Sequence, residues 1–107
     1  MYKPKDTKDI YVESLSINSS NLEKQLEGQT VSPAEIRQLL SAVDGQFRKR
    51  LAAIVEDYQK DMMALENVPS PLRLFIECLA ESEKSLKLSS QSQSLIRRYI
   101  SAWEDWM

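Results

Sequence analysis

An unbroken apolar pattern that starts near residue 33 is the feature that most restricts how this chain can fold. A helix start is predicted at Pro33, because Ser32 and Glu35 have the spacing of a capping box and proline suits the first helical turn. Apolar residues then recur at steps of three and four, as one helical face requires: Ile36, Leu40, Val43, Phe47, Leu51, Ile54, Tyr58, Met62 and Leu65. Because the pattern keeps its phase through Gly45, it predicts one continuous helix over about residues 33–66.

A second helix is predicted after the prolines that end the long one. Ser70 and Pro71 restart a helix, since serine caps helix N-termini and proline fits the first helical position. One side of this helix is apolar at Leu72, Phe75, Ile76, Leu79 and Leu86. A narrower apolar side, here called the second stripe, consists of Leu74, Cys78 and Leu88. A helix that is apolar nearly all round is typical of the centre of a bundle.

The last helix is predicted to follow a tight turn in the polar run SSQSQS, residues 89–94. Ser90 and Gln93 have the spacing of a capping box, and so short a connection favours an antiparallel neighbour. The apolar residues of this helix are Leu95, Ile96, Tyr99, Trp103 and Trp106.

The amino-terminal third allows three interpretations: residues 7–27 form one helix, two helices, or part of a strand. One helical face that ends at Gly28 accommodates Tyr11, Leu15, Leu22 and Leu26. The polar residues around Ser19 and Ser20 weaken a single helix, and residues 9–17 also fit a strand. We favour a helix, because a lone strand would find no partner elsewhere in the sequence. The chain, residues 1–107, therefore predicts a single all-α domain, a small bundle of about four helices built on the long one.

Histidine and cysteine, two of the commonest catalytic and metal-binding residues, are almost absent from this sequence. It contains no histidine and one cysteine, so it lacks an imidazole base, a histidine ligand set and a thiolate zinc site. Cys78 lies in an apolar segment, where we expect a buried and protonated thiol. No glycine-rich phosphate loop occurs. We therefore expect no enzyme activity, no cofactor, no metal and no small-molecule substrate; a carboxylate-based metal enzyme is the most remote alternative.

The charge of the chain is small and evenly spread. The net charge is −2, and no segment forms a basic arm or an acidic tail. No apolar run reaches the roughly 20 residues that a bilayer span needs, and a single cysteine suits a reducing compartment. We therefore expect a soluble, cytoplasmic protein without membrane contact.

Glu83 lies within the apolar face of its helix. Either the helix end frays and leaves this carboxylate exposed to water, or the carboxylate is buried beside an arginine.

Five basic residues make the case for nucleic-acid contact: Arg48, Lys49, Arg50, Arg97 and Arg98. At about 100° per residue, the triplet at 48–50 fans around its helix and forms no dense patch. Asp44 precedes Arg48 by four residues, which favours an ion pair. We interpret the triplet as the solvated side of the helix. The alternative function is a helical subunit of a ribonucleoprotein or regulatory complex that contacts phosphates through these five residues.

A non-enzymatic protein-interaction module is the function that the sequence favours: a dimeric adaptor, a chaperone, an inhibitor-like small protein, or a subunit of a larger complex. The expected partner-binding residues are the second stripe (Leu74, Cys78 and Leu88) with Trp103 and Trp106, because a bundle normally buries one stripe per helix. The two tryptophans also suit the closing of a core. Excess apolar surface predicts self-association or a protein partner that covers it.

Overall fold

The computed structural model describes residues 7–29, 31–59 and 69–105, with the side chains of residues 9–29, 31–56 and 69–105. This part of the chain forms four helices and no strand: α1 Thr7–Glu27, α2 Pro33–Gln59, α3 Pro71–Ser85 and α4 Ser90–Glu104. The predicted all-α bundle of four helices is confirmed. The expected continuation of the long helix over residues 60–66 lies outside the described residues, as do the side chains of Tyr58, Met62 and Leu65.

Helix α1 runs without a break through the polar residues that the sequence analysis expected to weaken it. The four predicted core residues of this helix, Tyr11, Leu15, Leu22 and Leu26, are all buried. The side-chain amide of Asn18 donates to the backbone carbonyl and the hydroxyl of Ser14, one turn earlier. Burial of the apolar face holds this segment helical despite its polar residues, so the strand and two-helix interpretations were wrong.

Helix α2 is continuous through Gly45, as its unbroken apolar pattern predicted. Val43, Phe47 and Leu51 are almost fully buried. One detail differs from the prediction, because Leu39 is 1% exposed and forms part of the core, whereas Leu40 lies partly buried at its edge. Two adjacent leucines fit the same helical pattern, and only the position of the neighbouring helices decides between them.

Helix α3 lies at the centre of the bundle and packs against α1, α2 and α4. It begins at Pro71 as predicted, and the hydroxyl of Ser70 accepts a 3.1 Å hydrogen bond from the backbone N–H of Arg73. At about 100° per residue, Leu74 and Ile76 point some 200° apart around the helix, yet both are buried. Both sides of α3 can be buried because α1, α2 and α4 all pack against this helix.

Helix α4 begins one residue away from the predicted cap. Ser89 is the N-cap and accepts a hydrogen bond from the backbone N–H of Ser92, so the expected box of Ser90 with Gln93 was wrong by one position. Ser90 is the first helical residue, and the side chain of Gln93 donates to the carbonyl of Leu88. In this serine-rich run several residues can cap, and tertiary contacts select one.

The carboxylate of Glu35 joins the start of α2 to the start of α4. It accepts hydrogen bonds from the backbone N–H of Ser89 at 3.2 Å and from the side-chain hydroxyls of Ser89 and Ser92. The predicted capping box with Ser32 is therefore replaced by a contact between distant parts of the chain. The hydrogen bond from Ser92, followed by those from Ser89, lowers the pKa of Glu35 despite an opposing effect of desolvation.

Candidate protein-interaction surface

The second stripe is part of the core of this single chain. Leu74 is 1% exposed, Cys78 0% and Leu88 8%, and all three belong to the same buried cluster. Leu88 follows α3 in the turn before α4, since the helix ends at Ser85. Their burial leaves no surface here for a partner and removes the reason given for self-association through this stripe. A partner-binding role for these residues stays a prediction, and it would require the bundle to open.

The thiol of Cys78 has the properties of a buried apolar side chain. Desolvation raises its pKa to about 11, although the nearby Arg50 acts in the opposite direction. A thiol with this pKa is almost entirely protonated at neutral pH, so it is a poor nucleophile. The sequence-based expectation of a buried, protonated cysteine agrees with this environment.

Two of the three basic residues at positions 48–50 form ion pairs with acidic residues of the chain. Arg48 contacts Asp44 at 3.1 Å, which is the predicted pair within α2. Arg50 reaches across to α3, where its guanidinium contacts Glu81 and, at 3.5 Å, Glu77. Sequence spacing could not reveal this second contact, because it joins residues of different helices.

Of the two arginines on α4, Arg97 and Arg98, the first contacts Glu83 on α3. Glu83 is 5% exposed and its Oε1 atom lies 3.1 Å from both Nε and Nη2 of Arg97. Of the two interpretations of Glu83, the buried carboxylate beside an arginine is therefore confirmed. Glu81 and Glu83 point about 200° apart around α3, so Arg50 and Arg97 lie on opposite sides of that helix and do not form one basic patch.

A groove lies between the C-terminal end of α1 and α4, with a volume of about 580 Å³. We call it the α1–α4 groove and define it by its apolar wall, which consists of Leu22, Leu26, Leu95, Tyr99 and Trp103. Lys24 and Arg98 also line it, and no acidic residue does so within the described part of the chain. Volumes of this order are typical of sites that accommodate a ligand or several side chains of a partner.

The aromatic residues of α4 form one wall of the groove. Tyr99 and Trp103 meet edge to face, with ring centroids 6.2 Å apart. Trp103 is partly buried and packs against the core while still lining the groove, whereas Trp106 lies outside the described residues. Burial raises the pKa of Tyr99, an effect that the nearby Trp103 and Asn21 partly offset. Of the predicted partner-binding residues that the structure describes, Trp103 is the one that borders an open surface.

Two isoleucines of α1 are the exposed large apolar residues of the described surface. Ile10 is 47% exposed and Ile17 is 69% exposed. Residues seven positions apart lie almost in line along a helix, so Ile10 and Ile17 share one face of α1, which points away from Leu22 and Leu26. Neither residue was among the predicted contacts, because the apolar pattern followed in α1 was that of its core face. Their seven-residue spacing on the opposite face was the available signal.

Other classes of site find no support in the described structure. Within residues 7–29, 31–59 and 69–105, no three His, Cys, Asp or Glu side chains are arranged to hold a metal ion. None of the helices described there combines the length and the apolar content that a bilayer span requires. Comparison with protein-family models, with curated proteins and with solved structures found no match to this chain. Any proposal for the function of this chain must therefore rest on its own sequence and surface.

Proposed function

We propose that this chain is a non-enzymatic protein-interaction module that binds through the exposed face of α1, with the α1–α4 groove as a second contact surface. The observation that carries the proposal is the pair of exposed isoleucines, Ile10 and Ile17, which lie in line on one face of α1. Single exposed apolar residues are ordinary on protein surfaces, but two in line on one helix face give a partner adjacent apolar contacts. A reducing compartment such as the cytoplasm suits the buried free thiol of Cys78.

The contact face differs from the one that the sequence favoured, and the functional class is the same. The second stripe serves the core, so a partner would meet α1 and α4 at the surface. Trp103 remains among the proposed contact residues, because tryptophan at a groove wall is a frequent interface anchor. Adaptor, chaperone, inhibitor-like protein and complex subunit all use surfaces of this kind, and a second copy of the chain is one of the partners to be tested.

Site-specific photocrosslinking tests this proposal. A benzophenone side chain at Ile17, in the full chain, should form adducts with one identifiable protein or with a second copy, and excess unlabelled chain should compete with them. The same label at Ser41, which is exposed on α2, is the matched control and should form no such adduct. The proposal fails if Ile17 gives no competed adduct, or if both positions give the same pattern. Nuclease treatment before crosslinking excludes adducts that depend on nucleic acid.

Nucleic-acid binding is the less favoured function. Arg48, Arg50 and Arg97 are each engaged by carboxylates of the chain, and these contacts reduce the positive charge that phosphates would meet. Replacement of Arg48, Lys49 and Arg50 by Gln should therefore remove no binding to a single-stranded RNA or a DNA duplex. Salt-sensitive micromolar binding that this triple variant loses would restore the nucleic-acid alternative.

A further inference from the structure

Helix α4 is attached to the bundle differently from the other three helices. Within the described part of the chain, α1, α2 and α3 each pack closely against the other two, whereas α4 packs closely against α3 alone. We propose that α4 is a lid, which leaves the bundle as one unit while α1, α2 and α3 stay folded together. The inference concerns a movement of the chain and does not depend on the proposed interaction function.

The other three helices keep a core of their own when α4 leaves. They contain 21, 27 and 15 residues, and domains of about 55–65 residues can fold alone. The rings of Tyr11 on α1 and Phe47 on α2 lie 6.5 Å apart. On another side of the core, the guanidinium of Arg50 on α2 contacts Glu81 on α3. These contacts join α1, α2 and α3 directly and do not involve α4.

The boundary of α4 with α1 and α2 is loosely packed. The α1–α4 groove, with a volume of about 580 Å³, lies between α4 and the C-terminal end of α1. Glu35 joins α2 to the first turn of α4, where it accepts hydrogen bonds from Ser89 and Ser92. This attachment is close to the covalent connection between α3 and α4. The later turns of α4 therefore rest mainly on α3.

The contact between α4 and α3 contains charged groups that water can solvate. Arg97 lies 3.1 Å from the carboxylate of Glu83, which is 5% exposed. A buried ion pair contributes little net stability, because the hydration that both charges lose offsets their attraction. Ile96 and Ile100 supply buried apolar surface on α4. Opening of the lid therefore costs chiefly the burial of one helix face, which is less than the unfolding of all four helices.

The lid covers a defined side of α3. Glu83 marks the side that faces α4, because it contacts Arg97. Leu79 precedes Glu83 by four residues and Ile76 precedes it by seven, so all three point within roughly 60° of one another. Leu79 is 0% exposed and Ile76 is 3% exposed. Movement of α4 would therefore uncover an apolar strip that ends in a carboxylate and that the closed bundle hides.

Native-state hydrogen exchange of the full chain, followed by NMR in low concentrations of urea, measures this opening. A helix of 15 residues is marginal in water on its own, so α4 loses its hydrogen bonds when it leaves α3. Amides of residues 96–100 should be at least about tenfold less protected than those of residues 43–51. Their exchange should also depend less on urea, because opening of one helix exposes less surface than global unfolding. Equal free energies of opening in the two ranges would overturn the proposal.

Two conservative substitutions distinguish movement of the lid from global unfolding. Phe47→Leu alters the core that stays closed when the lid opens, so it should speed exchange at residues 43–51 by about fivefold or more and at residues 96–100 by less than about twofold. Ile100→Val removes one buried methyl group from α4. It should speed exchange in both ranges by about two- to tenfold, because its contacts are lost in lid opening and in global unfolding alike. Circular dichroism confirms that both variants remain folded.

Two outcomes of these measurements would refute the lid. If Phe47→Leu accelerated exchange equally in both ranges, α4 would open only when the whole bundle unfolds. If residues 15–22 of α1 were the least protected of the three ranges, α1 would be the helix that leaves and α4 would belong to the stable part of the bundle.

Discussion

Substitution of Leu74 tests whether the second stripe belongs to the core of one chain. The side chain is 1% exposed and lies on the arc of α3 that three helices surround. Leu74→Ala should lower the free energy of unfolding by about 2–5 kcal/mol, because it removes buried methyl groups and leaves a cavity. For a domain of this size that corresponds to a fall in Tm of roughly 10–20 °C or more. Leu74→Glu should be worse, since it places a carboxylate in the core, and a domain is stabilised by only about 5–15 kcal/mol in total.

Thermal unfolding followed by circular dichroism, with light scattering on the same samples, measures both outcomes. Ile17→Glu is the control, because Ile17 is 69% exposed and its replacement should change the free energy of unfolding by no more than about 0.5 kcal/mol. If the second stripe instead contacted a second copy of the chain, Leu74→Glu would dissociate the dimer and leave a folded monomer. That result, or a Leu74→Ala variant with the Tm of the unaltered chain, would refute the single-chain core.

Three further predictions concern the stability of the bundle and change Gly45, Arg97 and Glu35 in turn. Gly45→Ala should raise the free energy of unfolding in urea by about 0.5–1 kcal/mol, because alanine favours the helix and a Cβ here meets no atom within 4 Å apart from the adjacent helix backbone. A loss of stability would contradict this. Arg97→Ala should lower the free energy of unfolding by about 1–3 kcal/mol, since it leaves the buried Glu83 without its cation, and Glu83→Gln in the same chain should restore part of it. No recovery in that double variant would be inconsistent with the pair. The pKa of Glu35 is lowered chiefly by its hydrogen bond from Ser92, so the ionised carboxylate stabilises the folded state. This stabilisation is fully present above the ordinary pKa of about 4.5 and is lost as the pH falls through the lower pKa of the folded state. Urea unfolding from pH 6 to pH 3 should therefore show a smaller loss of stability for Glu35→Gln than for the unaltered chain, and equal losses would rule this out.

The helices were predictable from the sequence because their signals are local. Pro33 and Pro71 mark helix starts, and the apolar steps of α2 show that it continues through Gly45. Neither signal depends on what the helix packs against. Contacts between helices were not predictable, as the carboxylate of Glu35 shows: it has the spacing to cap its own helix, yet it binds Ser89 at the start of α4.

The candidate site was less predictable than the fold, because burial depends on how many neighbours a helix has. The periodicity of α3 showed apolar residues on two sides, but it could not show that α1, α2 and α4 all pack against it. Leu74, Cys78 and Leu88 were therefore assigned to a contact with a partner. The α1–α4 groove depends on the separation of two helices that are far apart in the chain, and no spacing within either one encodes that separation. Trp103 was identified from residue type alone, since tryptophan is common at interfaces.

The reactivity of the single thiol tests most directly whether one chain covers its own apolar core. Cys78 is fully buried and its pKa is about 11, so a thiol reagent such as a disulfide dye should modify it only when the bundle opens. The rate at pH 8 should be many times slower than in the urea-unfolded chain, and it should not change when the protein is diluted a hundredfold. If a second copy covered the stripe of Leu74, Cys78 and Leu88, dilution would release it. A rate that rises on dilution, or rapid modification at every concentration, would contradict the structure proposed for this bundle.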